Sequence, residues 1–225
     1  MHILSKERSD RKSGQGLIRT SDLGLTDPAE FLLLREMTHR INNELTSAIS
    51  FASVIASRSH NGDVKIALAS MIEHLFDHAR VYRALQMPAE NKWVDATAYL
   101  RELCQSISCA KLRHNSIELV LVEHQIRLTS MQCWRLGMIL SELITNSCRH
   151  AFTEIGGSIR IELKKRGSSA ECRITDDGSS SDIVRSGHGL KIVKHLAIAL
   201  DGAIDLRFGE DGAIATVSFR IAEPI

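Results

Sequence analysis

One histidine near the start of the chain has the surroundings that a nucleophile needs. Apolar residues recur at steps of three and four through residues 36–45, which predicts an amphipathic helix with one buried stripe. His39 lies two residues from both Met37 and Ile41 of that stripe, a rotation of about 200°. We therefore expect its imidazole on the exposed face, where the neutral ring can act as a nucleophile.

Polar residues that could bind a metal and phosphates occur together on a later predicted helix. Glu142, Asn146, Arg149 and His150 are spaced by three or four residues or adjoin that row, so they can share one face. An amide oxygen suits Mg²⁺, which is usually shared with substrate phosphates, and arginine can donate to phosphate oxygens. A solvated helix face has the same composition, so this row alone leaves both interpretations open.

Two glycine-containing loops follow that helix in the sequence. Asp176, Asp177 and Gly178 come directly after a predicted strand, where a carboxylate can accept a hydrogen bond from an exocyclic amine. Gly187 and Gly189 come just before a predicted helix start, where free backbone N–H groups favour phosphate. Taken singly, an ordinary turn and a flexible loop explain these residues as well.

The order of the three motifs resembles that of a known family of ATPases. Glu-x-x-x-Asn on a helix, Asp-x-Gly after a strand and Gly-x-Gly-Leu before a helix are similar to the N, G1 and G2 boxes of the Bergerat fold, which gyrase and histidine kinases share. The upstream stretch at residues 39–43 resembles the phosphoacceptor box of histidine kinases with the pattern His-Arg-x-x-Asn. The resemblance covers about residues 28 to 221 and implies a two-component histidine kinase core.

This resemblance implies a role for each matching residue. His39 would accept the γ-phosphoryl group of ATP, Asn146 would hold Mg²⁺, and Asp176 would accept from the adenine amine. Glu142 would polarise the nucleophile or orient metal-bound water, and Thr216 would help to hold adenine. The other implied contacts to the nucleotide and its lid come from Arg149, His150, Gly178, Gly187, Gly189 and Leu190.

The sequence departs from the family pattern in two places. Ser180 replaces the second glycine of Asp-x-Gly-x-Gly, and the lid at residues 179–186 is short and contains no aromatic residue. Arg40 replaces the acid that follows the phosphoacceptor in many members. The acids that could orient the imidazole instead are Glu36, Glu44 and Glu142.

These motifs together predict an ATP-dependent, Mg²⁺-requiring protein histidine kinase. It would phosphorylate His39 and pass the group to an aspartate of a response regulator receiver domain. One alternative is a histidine phosphotransferase or pseudokinase adaptor whose second domain no longer binds nucleotide, which Ser180 favours. A less favoured alternative is a serine kinase that binds a transcription factor, which the long hairpin around His39 argues against.

The elements that must position these residues form three predicted segments. Residues 1–26 are polar and Gly/Ser-rich, which predicts a flexible tail. Residues 27–88 carry two helical stripes that are too few to enclose a core, so a helical hairpin would pair with a second copy as a four-helix bundle. Residues 89–225 alternate helical and strand patterns, which predicts an α/β sandwich ATPase domain and an α+β fold class overall.

The periodicity also predicts approximate bounds. We expect the hairpin helices at about residues 28–58 and 64–86, and later helices at about 95–111, 130–150 and 190–200. Strands are expected at about residues 117–122, 158–165, 170–175, 203–208 and 213–221. The first hairpin stripe comprises Leu34, Met37, Ile41, Leu45, Ala48, Ala52 and Ile55.

Composition excludes several other classes of protein. A formal net charge of +1 gives no overall field for nucleic acid or an acidic membrane. The five cysteines are scattered without paired spacing, as in a cytoplasmic protein with reduced thiols. No stretch approaches the ~20 apolar residues that span a bilayer, so we expect no membrane partner. Together with the thiols, the net charge and the hairpin, this predicts a cytoplasmic homodimer without a nucleic-acid partner.

Overall fold

A computed structural model describes residues 28–88, 90–152, 156–179, 188–209 and 211–222 of the chain. The helices are α1 (Pro28–Arg58), α2 (Gly62–Ala84), α3 (Ala96–Ile107), α4 (Ser130–His150) and α5 (His188–Ala199). The strands are β1 (Trp93–Asp95), β2 (Ile117–Val122), β3 (Arg127–Thr129), β4 (Gly157–Arg166), β5 (Ser169–Asp176), β6 (Gly202–Gly209) and β7 (Gly212–Arg220). The predicted tail at residues 1–26 lies outside the described residues, as do Ser180 and Gly187.

The first two helices form the predicted hairpin. Asn61 ends the connection between them, and its side-chain oxygen accepts from the backbone N–H of Asp63 over 2.8 Å and from that of Val64. This cap satisfies donors that the first turn of α2 would otherwise leave free. The sequence therefore sets both the break and the restart of the helix.

The apolar stripe predicted on α1 is only partly buried in one chain. Ile49 and Ala52 are buried against α2, and Leu45 is half-buried. Met37, Ile41 and Ile55, which the stripe was predicted to bury, are exposed, as is Ala48. The apolar surface of α1 is wider than one helix–helix contact, so α2 covers one flank of it and leaves the other in solvent.

The end of α2 is built into the core of the second domain. Val81 belongs to the main hydrophobic cluster, and Met87 is buried just beyond the helix. Trp134 of α4 donates its indole Nε1–H to the carbonyl oxygen of Leu85 over 2.9 Å. The junction between the hairpin and the second domain is therefore held by packing and by a hydrogen bond.

The second domain is a five-stranded sheet with three helices against one face. The strand order is β2-β4-β5-β7-β6, in which β2 runs parallel to β4 and the other neighbours are antiparallel. Ala215, Val217 and Phe219 of β7 are buried beneath the helices, whereas Ser218 and Arg220 are exposed. The predicted α+β class, with N-terminal helices and a sheet ATPase domain, is confirmed.

A two-stranded sheet of β1 and β3 was not predicted. Each strand has three residues, which is too short for a reliable alternating pattern. The sheet lies where two helices begin, because Asp95 caps α3 and Thr129 forms a capping box with Gln132 at the start of α4.

The helix predicted to run to about Lys111 changes its winding before it ends. α3 continues as a π-helical turn at Ser108–Leu112 and a 3-10 turn at Arg113–Asn115. Cys109, Ala110 and Leu112 of these turns are buried, and Lys111 is half-buried. The wider turn thus buries three apolar side chains, whereas the side chain of Lys111 remains half-buried.

All five cysteines are free thiols, as predicted. Cys148 is half-buried and the other four are buried. Burial raises the pKa of Cys104 and Cys133 to about 12, so these thiols are unreactive near neutral pH. Among the helices in the described part of the chain, none is long and apolar enough to cross a membrane.

Candidate active site

A buried carboxylate at the end of β5 is fixed from three directions. Oδ2 of Asp176 accepts from the hydroxyl of Ser147 on α4 over 2.6 Å. Oδ1 accepts from the backbone N–H of Ala213 over 3.0 Å and from that of Gly178 over 3.3 Å. A carboxylate offers about four acceptor positions, so one remains on Oδ2 for a ligand.

The backbone around Asp176 is too close-packed for side chains at two glycines. A Cβ at Gly178 would collide with the main chain of Ala151, whose carbonyl carbon would lie 2.6 Å away. Gly212 has φ +118°, and a Cβ there would meet the carbonyl carbon of Asp176 at 2.9 Å. Gly178 is therefore required for close packing against Ala151, whereas its predicted place in an adenine pocket stays a prediction, and Gly212 was not predicted.

Asp177, the other acid of this loop, serves the fold. Its Oδ1 accepts from the backbone N–H of Ser158 over 2.7 Å, and its own N–H donates to the carbonyl oxygen of Ser158. These two bonds fasten the end of β5 to the start of β4. Of the acidic pair, Asp176 is thus directed into the fold, whereas Asp177 connects two neighbouring strands of the sheet.

A cavity of about 130 Å³ opens beside Asp176. One wall is apolar and comes from the last two strands and the end of β5. Its side chains are Ile174, Leu206, Phe208, Ala213, Ile214 and Ala215. Phe208 is exposed at the rim, so this strand supplies an aromatic ring that the short lid does not contain. A flat heterocycle with an exocyclic amine fits an apolar wall with one carboxylate.

The opposite wall is the polar face of α4. Asn146, Ser147 and His150 line the cavity, so the amide and the imidazole lie on the side predicted for them. Arg149 is exposed and is not among the residues that line the cavity. The polar row is therefore split between the cavity wall and its outer edge.

The start of α5 closes one end of the cavity. Gly189 and Leu190 line it, and Gly189 lies so close to Glu142 that an added Cβ would overlap the carboxylate. Glu142 is thus held beside the glycine of the third motif instead of lining the cavity itself. Gly187 lies outside the described residues, and its predicted role remains a prediction.

Thr216 does not reach the cavity. It pairs with Arg173 on β5 and with Asp205 on β6, two residues on the sheet face away from the helices. Ala215, one residue earlier, faces α4 and lines the cavity instead. The predicted adenine contact of Thr216 is therefore wrong, because neighbouring residues of a strand point to opposite faces.

His39 is exposed on α1, on the face predicted for it. The side-chain amide of Asn43, one turn later, lies against its Nδ1 with Nδ2 at 3.1 Å. Glu36, which was considered as the orienting acid, instead pairs with Arg40 over 2.9 Å. The group that contacts the imidazole is thus an amide one helical turn away, and Glu36 is held by the arginine that replaces the usual acid.

The residues present fit the predicted nucleotide and Mg²⁺. Asp176 retains one acceptor position beside an apolar wall, and Asn146 lines the same cavity. No group of three or more His, Cys, Asp or Glu within the described ranges could hold a metal ion. Asn146, with water and phosphates, would supply the oxygen ligands that suit Mg²⁺.

Four contributors to the site were given no role from the sequence, and one of them, Asn43, was recognised only as the last residue of the pattern His-Arg-x-x-Asn. Ser147 and Asn43 could have been found by helix spacing, because each lies one residue or one turn from a predicted site residue. Phe208 could have been found from the alternation of β6, in which Leu206 and Phe208 share a face. Gly212 carries no local signal besides its residue type.

Two family models match overlapping parts of the chain. One, described as histidine kinase, matches residues 36–111, and the other, described as histidine kinase-like ATPase domain, matches residues 95–203. Together they include the predicted phosphoacceptor and three of the motifs in the second domain.

Curated relatives agree with these models. The blue-light-activated histidine kinase 2 of Erythrobacter litoralis is 23% identical over 202 residues, covering 84% of this chain and 57% of the relative. The sensor histidine kinase PdtaS of Mycobacterium tuberculosis is 25% identical over 182 residues, covering 77% of this chain and 36% of the relative. The chain thus spans between about a third and three fifths of the length of these relatives.

Solved structures show the same fold. The histidine kinase domain of the Erythrobacter litoralis EL346 blue-light activated histidine kinase has a TM-score of 0.56 at 18% identity, covering 78% of this chain and 96% of that domain. A bacterial phosphotransferase has a TM-score of 0.57 at 10% identity, covering 84% and 96% respectively. With the family models and the relatives, the chain belongs to the histidine kinase family and contains a sensor histidine kinase core with a histidine kinase-like ATPase domain.

Proposed function

We propose that this protein is an ATP-dependent protein histidine kinase that phosphorylates His39 and donates the phosphoryl group to an aspartate of a response regulator. The observation that carries this proposal is the Asp176 carboxylate, held by three hydrogen bonds beside an apolar wall with one acceptor position left. The proposal also rests on the exposed imidazole of His39 in the same chain.

Adenine recognition follows from the two sides of the cavity. The exocyclic amine of adenine donates to the remaining acceptor position of Asp176, and the ring lies against Leu206 and Phe208. A site built to accept this hydrogen bond disfavours a base with a carbonyl at the same place, because two acceptors would then face each other. This arrangement selects adenine over guanine.

The triphosphate extends from Asp176 across Asn146. Bound Mg²⁺ supplies charge neutralisation on the phosphates. Asn146 offers its amide oxygen to the metal site, and His150 and Arg149 lie within the same two turns of α4. Asn146 and Arg149 position the γ-phosphoryl group and stabilise its negative charge, and His150 approaches the triphosphate on the side nearer Asp176.

The transfer itself needs a correctly protonated imidazole. Nε2 of His39 attacks the γ-phosphorus, a nitrogen–phosphorus bond forms, and the bond to the β,γ-bridging oxygen breaks as ADP leaves. Attack through Nε2 requires the ring proton on Nδ1, where Asn43 lies. The amide accepts from that proton through its oxygen once it turns over, since its oxygen and nitrogen occupy similar positions.

A second copy of the chain completes the hairpin in this proposal. The uncovered apolar side chains on α1 and α2 include Phe51, which is 69% exposed, and Ile66, which is 72% exposed. A homodimer that buries them as a four-helix bundle removes this apolar surface from water. It also gives His39 two cavities from which to receive a phosphoryl group, one in each copy.

Labelling with γ-³²P-ATP and Mg²⁺ tests this function. We expect an acid-labile, base-stable label on the protein, lost in His39→Gln and retained in His60→Gln, which removes an exposed imidazole from the hairpin turn. The label should then move to a receiver domain added in trans. A folded protein that binds ATP but carries only acid-stable label, or none, would refute the histidine kinase. Phosphate uptake from a receiver without ATP binding would favour the adaptor.

A further inference from the structure

A lysine from outside the predicted motifs reaches the helix that carries Asn146. Lys111 leaves the π-helical turn at Ser108–Leu112, and its Nζ donates to the hydroxyl oxygen of Thr145 over 2.7 Å. The hydroxyl of Thr145 itself donates to the carbonyl oxygen of Ser141 over 2.6 Å. The lysine can therefore move away while the threonine keeps a hydrogen-bond partner.

The order of residues around α4 places this lysine relative to the triphosphate. At about 100° per residue, Ser147 lies to one side of Asn146, toward Asp176, and Thr145 lies about as far to the other side. Glu142 and Arg149 fall between Asn146 and Thr145, about 40° and 60° from Asn146. A nucleotide that starts at Asp176 and crosses Asn146 thus extends toward Glu142, Arg149 and the ammonium of Lys111.

The charges at this edge favour an anion. Burial lowers the pKa of Lys111 and Arg149 lowers it further, whereas Glu142 and Cys148 raise it, so the lysine lies close to both the cation and the carboxylate. Neither Lys111 nor Arg149 forms an ion pair with any carboxylate in the part of the chain that the structure describes. Two cations and one carboxylate leave a local excess of positive charge.

We propose that Lys111 is a phosphate-binding residue that contacts the γ-phosphate of bound ATP and makes the site discriminate ATP from ADP. This inference rests on the proposed function, because it requires a nucleotide in the cavity. A lysine is a point charge on a flexible stem and can follow a phosphate that changes position during transfer. Its anchor on Thr145 holds it beside the site when no nucleotide is bound.

The experiment compares two ligands that differ by one phosphate. Isothermal titration of the full chain with Mg-ATP and with Mg-ADP gives two dissociation constants for the unsubstituted protein, Lys111→Met, Lys111→Gln and Lys111→Arg. We expect Lys111→Met to weaken ATP binding about tenfold while ADP binding changes by less than about twofold, as for one lost charge-assisted hydrogen bond. Lys111→Arg should restore most of the preference.

The variants separate charge from packing. Lys111→Gln keeps a donor for Thr145 but is neutral, so it should lose discrimination as Lys111→Met does, and it replaces Lys111→Met if that variant does not fold. Arg113→Met removes an exposed cation two residues later and should leave both affinities unchanged. Equal weakening of ATP and ADP, or no change in either, would overturn the role of Lys111. An unsubstituted protein that binds no ATP would refute the proposed function and this inference with it.

Discussion

The hydroxyl of Ser147 on α4 donates to Oδ2 of Asp176 at the end of β5 over 2.6 Å. Ser147 directly follows Asn146, so the carboxylate proposed for adenine and the amide proposed for Mg²⁺ are linked through adjacent residues of one helix. The groups proposed for the two ends of a nucleotide are thus both attached to α4. This rigid helix fixes the distance between the carboxylate and the amide before a ligand binds.

Replacing Asp176 with asparagine should weaken ATP binding by at least about tenfold, because the amide cannot satisfy Ser147 and the adenine amine with the same acceptor geometry. Fluorescence or calorimetric titration with Mg-ATP measures the loss. Asp177→Asn is the matched control, since that side chain holds the backbone of Ser158. Equal losses in the two variants would mean that Asp176 acts on the fold alone.

Replacing Asn43 with alanine should slow labelling of His39 about tenfold or more without changing the affinity for ATP. The variant removes the amide at Nδ1, which favours the tautomer with a free lone pair on Nε2 once its oxygen is turned toward the ring. Single-turnover labelling at saturating ATP measures the rate. Asn42→Ala alters the neighbouring amide, which is half-buried, and serves as the control. An unchanged rate in Asn43→Ala would contradict the positioning role.

Replacing Phe51 with aspartate should convert a homodimer to monomers, because a charge would enter the apolar surface that a second copy covers. Light scattering coupled to size exclusion gives the mass of each species. Ile198→Asp places the same charge on the exposed face of α5, where 57% of the side chain is already in solvent, and should leave the mass unchanged. A monomeric unsubstituted protein would disprove the four-helix bundle.

The stability of the fold should fall as the pH drops below 6.5, the ordinary pKa of histidine. Burial lowers the pKa of His78, and His74 and Lys111 lower it further, whereas Asp77 raises it. The imidazole of His78 therefore binds a proton more readily in the unfolded chain than in the folded chain. The free energy of unfolding accordingly decreases as the pH is lowered from 6.5 to the lowered pKa of the folded state. Urea titrations between pH 5.5 and 7.5 measure the slope.

The pH test has two variants. His78→Gln should flatten the dependence on pH in this window, since it removes the group whose pKa differs between the two states. His60→Gln removes an exposed imidazole from the hairpin turn and should keep the slope of the unsubstituted protein. A slope that persists in His78→Gln would assign the effect to another group.

Part of the candidate site could be predicted because it depends on local periodicity. The three-residue and four-residue spacing on α4 correctly put Asn146 and His150 on one face, and the alternation of β5 correctly ended at a carboxylate. Thr216 shows the limit of this approach. A strand has a period of two, so an assignment that is wrong by one residue moves a side chain to the other face of the sheet.

Other features depend on contacts that a sequence pattern does not contain. Lys111 meets Thr145 across 34 positions of the chain, and the π-helical turn that aims it has no periodic signature. The apolar residues of α1 were recognised as a set, but which of them α2 covers depends on how the two helices pack. Sequence periodicity predicts which face of a helix or strand is apolar. Tertiary contacts decide which residues of that face are buried.

α4 also connects two distant places mechanically. Trp134 near its start is bonded to Leu85 at the end of the hairpin, and Asn146 faces the cavity twelve residues later, about 18 Å along the axis. An unbroken helix transmits a push or a twist over that length with little loss. A rotation of α2 would therefore be transmitted through α4 to the wall of the cavity that carries Asn146.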